Sequence, residues 1–277
     1  MRELLGFSVL RTHAAKKLQI RLVSSLAALV CLGAPMPAVS AQNCPSSADN
    51  IATDRPDVTN SSIVVPQGSL QSENGVNLSA RDGSRVVDGT NSRLRLGVAP
   101  CLELLIDLPT YFAVVRGHIS SGFSNVTPAI KWQLGPLPGG FDLSTTAGVG
   151  LPTGATNIAG RGLQPYLQFP WSRELTSGWG ISGMITAFMF PSDPTSKLTT
   201  ESTFVIEKEI GERASVFVEY IGDYPVHGSP SHLFNSGAAY RLTPRQQIDF
   251  HVGFGLNHNA PDLIFGLGYS FRFDGWF

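Results

Sequence analysis

The sequence predicts an all-β protein: a transmembrane antiparallel β-barrel of about 12 strands with an N-terminal periplasmic or plug segment. Three observations lead there. The chain closes on DLIFGLGYSFRFDGWF, in which Leu263, Phe265, Leu267, Tyr269, Phe271 and Phe273 hold the odd positions and Phe277 falls in phase. The even positions carry Gly266, Gly268, Ser270, Arg272 and Asp274, so one face is wholly apolar and the other small or charged. An export signal opens the chain, yet no run long enough for a helical span follows it. The connections between period-two segments alternate long and short, as extracellular loops and periplasmic turns do in such barrels.

The export signal comes first in the chain. Arg2, Arg11, Lys16, Lys17 and Arg21 stand against Glu3, then LVSSLAALVCL fills residues 22–32, and Val39-Ser40-Ala41 forms a small-residue cleavage site. The apolar run is too short to span a bilayer. Cleavage removes a surplus of four basic charges, taking the formal net charge from −1 to −5. That balance offers nothing to nucleic acid. The expected organisation is a signal peptide over 1–41, a periplasmic or plug segment over 42–68, and the barrel over 69–277.

Period-two character recurs near 69–80, 91–98, 101–108, 125–134, 141–151, 163–173, 179–190, 199–210, 214–223, 232–243, 247–256 and 262–273. The alternation is clean over 141–151, where Phe141, Leu143, Ala147 and Val149 interleave with Asp142, Ser144, Thr146 and Gly148. It is equally clean in the segments around Leu167, Phe234 and Phe250, and less so over 179–190 and 199–210. Long connections fall near 81–90, 109–124, 152–162, 191–198, 224–231 and 257–261. In lipid only a closed sheet leaves no unpaired edge, so sorted loops and outward apolar faces require a barrel with both ends of the chain in the periplasm. The last strand, closing against the first and ending on an aromatic, has the form of an insertion signal read by barrel-assembly machinery. The partners implied are outer-membrane lipid and small-molecule solutes.

Two stretches carry a family resemblance. ATDRPDVTNSSIVVPQGSLQSENG opens the mature chain from Ala52, and GLNHNAPDLIFGLGYSFRF closes it from Gly255. Together they resemble an outer-membrane transporter family associated with the meta-cleavage pathway of phenol degradation. The resemblance implies a barrel that passes small aromatic or hydrophobic compounds in the bacterial outer membrane.

By alternation Arg93, Arg95, Glu103, Asp107, Lys131, Asp142, Glu207, Glu209, Glu219, Arg241, Asp249 and Arg272 face the lumen. Both signs occur, so these side chains form an ion-pair network, a selective constriction, or both; unpaired they would cost several kcal/mol each. Eight strands fill with side chains and sixteen leave an aqueous channel; about twelve lies between, so the lumen is either narrow or blocked. The segment 42–68 is the candidate filler, with Asp54, Arg55 and Asp57 placed to clip onto lumen charges; the other reading is a loose periplasmic tail. Export leaves Cys44 and Cys101 on the periplasmic side, where an oxidising compartment favours a bridge between them.

Catalytic patterns are scarce. No phosphate loop, GxSxG elbow or CxxC pair occurs, and no cofactor is implied. His118 and Ser120 are the one close pair that hints at a rim hydrolase, without an acid to orient the histidine. His227 and His232 lack a third metal ligand, and His251 beside Asp249 reads as a hydrogen-bonded lumen histidine. A passive conduit is the expectation, with a lipid hydrolase or a structural or adhesive barrel as alternatives.

Overall fold

A computed structural model describes residue 44 and residues 50–116, 121–191 and 197–276. The signal region, His118 and Ser120 lie outside the described residues. The strands are β1 (Leu70–Arg81), β2 (Ser84–Ala99), β3 (Leu102–Asp107), β4 (Tyr111–Arg116), β5 (Gly122–Phe123), β6 (Thr127–Leu137) and β7 (Phe141–Gly150). A one-turn helix α1 (Thr156–Ala159) precedes β8 (Gln164–Glu174), β9 (Trp179–Met189), β10 (Leu198–Ile210), β11 (Ala214–Pro225), β12 (Ser231–Thr243), β13 (Gln246–Gly255) and β14 (Leu263–Phe273).

These close into an antiparallel barrel of 12 strands, with β4 and β5 extending β3 and β6 beyond Pro109 and Ser124. Proline at 109 ends the ladder because it cannot donate to it; Leu108 N–H still reaches Ser92 O at 2.8 Å, which keeps the two halves in line. The seam is continuous: β1 pairs with β14 from Leu70↔Phe273 to Ala80↔Leu263. Past the seam, Trp276 N–H donates to Gly68 O at 2.6 Å and Ser69 Oγ to Asp274 Oδ1 at 2.8 Å. Burial raises the affinity of Asp274 for its proton, but Ser69, Arg272 and Arg245 outweigh it and hold this carboxyl below its ordinary pKa.

The outward face is the one alternation marks. Leu267 is 54 % exposed on β14 and Ile185 is 55 % exposed on β9, while their neighbours Ser270 and Thr186 are fully buried. In a membrane those exposed side chains meet lipid, and the buried small and polar ones point inward. In β9 the even residues turn inward and in β10 the odd ones, which fixes the register that periodicity left open. Leu267 lies midway along β14, so Leu267→Arg will destabilise the barrel in liposomes by about 2–4 kcal/mol, measured by denaturant titration. An unchanged midpoint would mean that this face does not meet lipid.

Two expected loops hold strands instead: the connection 109–124 contains β4 and β5, and 81–90 contains the start of β2. Residues 81–90 are a continuous hairpin in which Arg81 pairs with Ser84 across Asp82 and Gly83. Both turn residues have positive φ, 47° and 76°, the geometry of a two-residue hairpin turn. Above the lipid no apolar alternation is needed, so SRVVDGTN carries none and its strand is invisible to a period-two reading.

Candidate functional site

Residues 51–68 lie inside the barrel, because their contacts reach inward side chains on opposite walls. The segment enters at the periplasmic end, where Ile51 N–H donates to Pro244 O at 2.8 Å. It turns at residues 55–58 and leaves where Gly68 N–H meets Gly97 O at 2.8 Å. Cys44 and Cys101 are disulfide-bonded with Cα atoms 5.2 Å apart, so this hairpin is anchored at the periplasmic rim on both arms.

An ion-pair clasp holds one side of it. The Asp54 carboxylate sits 2.9 Å from Arg93 Nη1, 3.3 Å from Arg95 Nη1 and 3.4 Å from Lys131 Nζ. Its backbone N–H donates to Glu73 Oε2 at 2.9 Å. Arg95 also pairs with Glu73 and Glu103, each at 3.0 Å, and donates to Ile63 O at 3.0 Å. Arg93 grips Asp107 through two bonds of 2.6 and 3.0 Å. On the returning arm Val64 and Val65 N–H groups donate to Gln133 Oε1 at 3.1 Å and Glu103 Oε2 at 2.6 Å. Charges withdrawn from water this completely persist only when every member is paired, and here Asp54, Glu73, Glu103, Arg93, Arg95 and Lys131 each have more than one partner. Arg95, Glu103 and Lys131 do face inward as their phase requires; what they face is the plug and not open water.

The opposite side is held by hydrogen bonds from uncharged groups to an acidic wall. Val58 and Thr59 N–H groups donate to Glu219 at 3.0 and 2.9 Å, and Asn235 Nδ2 donates to its other oxygen at 2.9 Å. Thr59 and Thr203 hydroxyls meet at 2.5 Å, Asn60 Nδ2 donates to Gln168 Oε1 at 3.0 Å, and Ser62 meets Ser172 at 2.7 Å. Glu207 and Glu209 also point inward from β10 but are exposed, and Asp142 is half-buried, so the periplasmic mouth is wet along this wall. Arg241 and Arg272 sit at the rim, donating to Glu212 O and Asp274 Oδ1.

Arg55 uses a notch in the seam. Gly75 and Gly268 are register partners on β1 and β14. A Cβ built on Gly75 would stand 2.4 Å from the Arg55 guanidinium carbon, and one on Gly268 would stand 2.5 Å from its Nε. The guanidinium therefore lies against bare backbone, donating to Asp249 Oδ1 at 3.2 Å and Leu267 O at 3.3 Å. The glycine alternation of β14 is visible in the sequence, but what occupies it is not. Gly268→Val will expel Arg55 and destabilise the plugged state by about 1–3 kcal/mol, read as faster proteolysis of the plug from the periplasmic side. Adding Arg55→Ala should restore protection in large part; no rescue would mean the notch holds something other than Arg55.

Above the plug, on the extracellular side, lies a cavity of about 290 Å³. Its floor is the plug turn, Arg55 to Val58, with Asn60. One wall is polar, through Asn77, Asn91, Ser92, Arg93, Asp107 and Asn125, with Phe112 on the same side as the register partner of Asp88; the other carries Tyr166, Phe188, Met189 and Phe190. Tyr166 and Phe188 have ring centroids 6.0 Å apart, as do Phe188 and Phe190, the latter stacked. Gly148 makes room for Tyr166, whose ring lies 2.5 Å from where a Cβ would stand. Phe188 turns inward from the register partner of Tyr166, on a strand whose phase the sequence leaves open. An aromatic wall facing a hydrogen-bonding wall can hold a small ring with a polar substituent.

His251 and His232 make hydrogen bonds within the barrel wall. His251 hydrogen-bonds to Asn235 at 3.2 Å and Asn77 at 3.3 Å. His232 turns outward to Tyr220 Oη at 2.7 Å, away from any shared site with His227. Among the described residues no group of three or more potential ligands could hold a metal ion.

A family model described as the putative MetA-pathway of phenol degradation matches residues 53–273. No curated protein matches the chain. Among solved structures, an outer membrane channel from Pseudomonas putida F1 is similar with a TM-score of 0.61 at 14% identity, covering 76% of this chain and 97% of that one. The KdgM porin is similar with a TM-score of 0.51 at 9% identity, covering 74% and 99%. Its complex with disordered oligogalacturonate gives 0.52 at 8%, covering 74% and 99%. At these identities the likeness is one of fold.

Proposed function

The chain belongs to the family described as the putative MetA-pathway of phenol degradation, and from that membership we propose a passive outer-membrane channel for small aromatic or hydrophobic molecules. The observation that carries this reading is the half-aromatic, half-polar cavity seated on a plug inside a closed transmembrane barrel. A solute enters from outside, loses water against Tyr166 and Phe188, and keeps its polar group bonded to the opposite wall. It then passes the plug into the wet periplasmic mouth. Phenol-sized rings fit a cavity of about 290 Å³, whereas long oligosaccharides do not. The likeness to channels and porins supports the same reading, as does the family's link to aromatic breakdown. The domain division follows: residues 42–68 act as the plug and 69–277 as the barrel. The likeness to channels and porins favours a conduit over the alternatives of a lipid hydrolase or a structural or adhesive barrel.

Purified protein in liposomes should admit small phenols and glycerol-sized solutes, measured by swelling. Phe188→Ala with Phe190→Ala should lower the rate for phenols relative to aliphatic solutes of equal size. Liposomes as tight as protein-free ones toward every solute would overturn the channel reading.

A further inference from the structure

The lumen is electrically lopsided, and the plug divides it. Arg93, Arg95 and Lys131 stand on β2 and β6, all engaged by Asp54 and the wall acids beside them. On the other wall the inward positions of β7 to β11 carry Asp142, Glu201, Glu207, Glu209, Glu219 and Asp223. No lysine or arginine faces inward from these strands among the described residues. The two basic side chains they do carry are outward, with Arg173 over the Phe141 ring at 5.0 Å and Lys208 over Trp179 at 5.2 Å.

The plug meets these walls unequally. Toward β2 and β6 it offers Asp54 to three cations, and two of its periplasmic attachments lie near that side, at Cys101 and Gly97, with a third at Pro244 between β12 and β13. Toward β10 and β11 it offers uncharged donors, the Val58 and Thr59 N–H groups and the Thr59 hydroxyl to Glu219, together with one further acid and no cation. Asp57 immediately precedes Val58, whose N–H is held by Glu219, so this acid is carried to a wall that offers it no basic side chain. Acids brought together in a poorly solvated space disfavour one another's charge, whereas the paired side is held by mutual attraction. Below this contact the wall is already open to water at Glu207 and Glu209; below the clasp, Glu103 and Gln133 remain sealed.

We propose that the plug yields on its acidic side, and that the passage opened between Asp57–Thr59 and the β10–β11 wall admits neutral and cationic solutes while rejecting anions. Asp57 and Glu207 are its specificity-determining residues. A phenol or an aromatic amine would pass where an aromatic carboxylate would not. The inference rests on the channel reading, and it names both the location of the path and the charge class it accepts.

Planar bilayers under a KCl gradient test it. The wild type should show a reversal potential of the sign for potassium over chloride, moved toward zero by Glu207→Gln and further by Asp57→Lys. Chloride selectivity, or no shift in either variant, would overturn the proposal. Two cysteine staples test the position: Thr59→Cys with Thr203→Cys ties the plug to the acidic wall, and Val64→Cys with Gln133→Cys ties it to the basic one. Oxidised, the first should lose most conductance relative to its single-cysteine parents and the second should keep it. The opposite order would overturn the proposed path and leave the channel reading standing. Absence of conductance in every form would overturn both.

Discussion

Replacing Arg95 with methionine will open the channel. The guanidinium is 1 % exposed and joins Asp54, Glu73 and Glu103, three carboxylates drawn from the plug and from two strands. Methionine keeps much of the volume and none of the charge, so those carboxylates lose their common partner. Breaking a buried pair by removing one side costs about 3–5 kcal/mol, because the remaining charges stay desolvated. The barrel wall has its own ladder hydrogen bonds on both sides of β2, whereas the plug has none. The cost therefore falls on the plug, which is released into water where Asp54 can be solvated. Single-channel recordings should show longer and more frequent openings than the wild type, with folded barrel still recovered from membranes. Recordings indistinguishable from the wild type would show that the clasp does not hold the gate.

Lumen charge and lipid face were legible in the sequence for the same physical reason. A strand between lipid and a crowded lumen must alternate, so β14 can be read residue by residue, from Leu263 out to Arg272 in. Where lipid ends, the constraint ends with it, and β2 above Asn91 was hidden in what reads as a loop. The inward residues Arg93, Arg95, Glu103 and Lys131 were identifiable by phase, as was the capacity of Asp54 and Arg55 to engage them. Which acid meets which base was not, because the pairs join residues far apart in the chain, such as Arg55 and Asp249. The aromatic wall of the cavity escaped notice because Phe188 sits in β9, where small and apolar residues occupy both faces and mask the phase. The glycine notch escaped it because glycine on an inward face is equally consistent with close packing, a bulge or empty space.

Removing the disulfide should act on the same plug from its other end. Cys44 and Cys101 are 57 residues apart in sequence, and their bridge makes the plug a loop fixed at two points instead of a tail fixed at one. By the loop-entropy relation such a bridge stabilises the closed arrangement by about 4 kcal/mol at most, and commonly by less. Cys44→Ser with Cys101→Ser leaves the Asp54 clasp intact, so the plug should remain seated most of the time. The clasp and the bridge hold the same segment, so their losses should not add independently. With Arg95 present, the serine variant should show a modest rise in open time. With Arg95→Met as well, the plug loses the centre of its clasp and its bridge together, and keeps the attachment at Gly68, the pairs of Asp54 with Arg93 and Lys131 and of Arg55 with Asp249, and the hydrogen bonds to Glu219. In that combined variant conductance should approach that of a barrel from which residues 50–67 have been deleted. Protease added to the periplasmic face should then cut the released segment, while oxidised wild type resists. If the combined variant conducts no more than Arg95→Met alone, the bridge does not restrain the plug, and the attachment at Gly68 is sufficient to limit its movement.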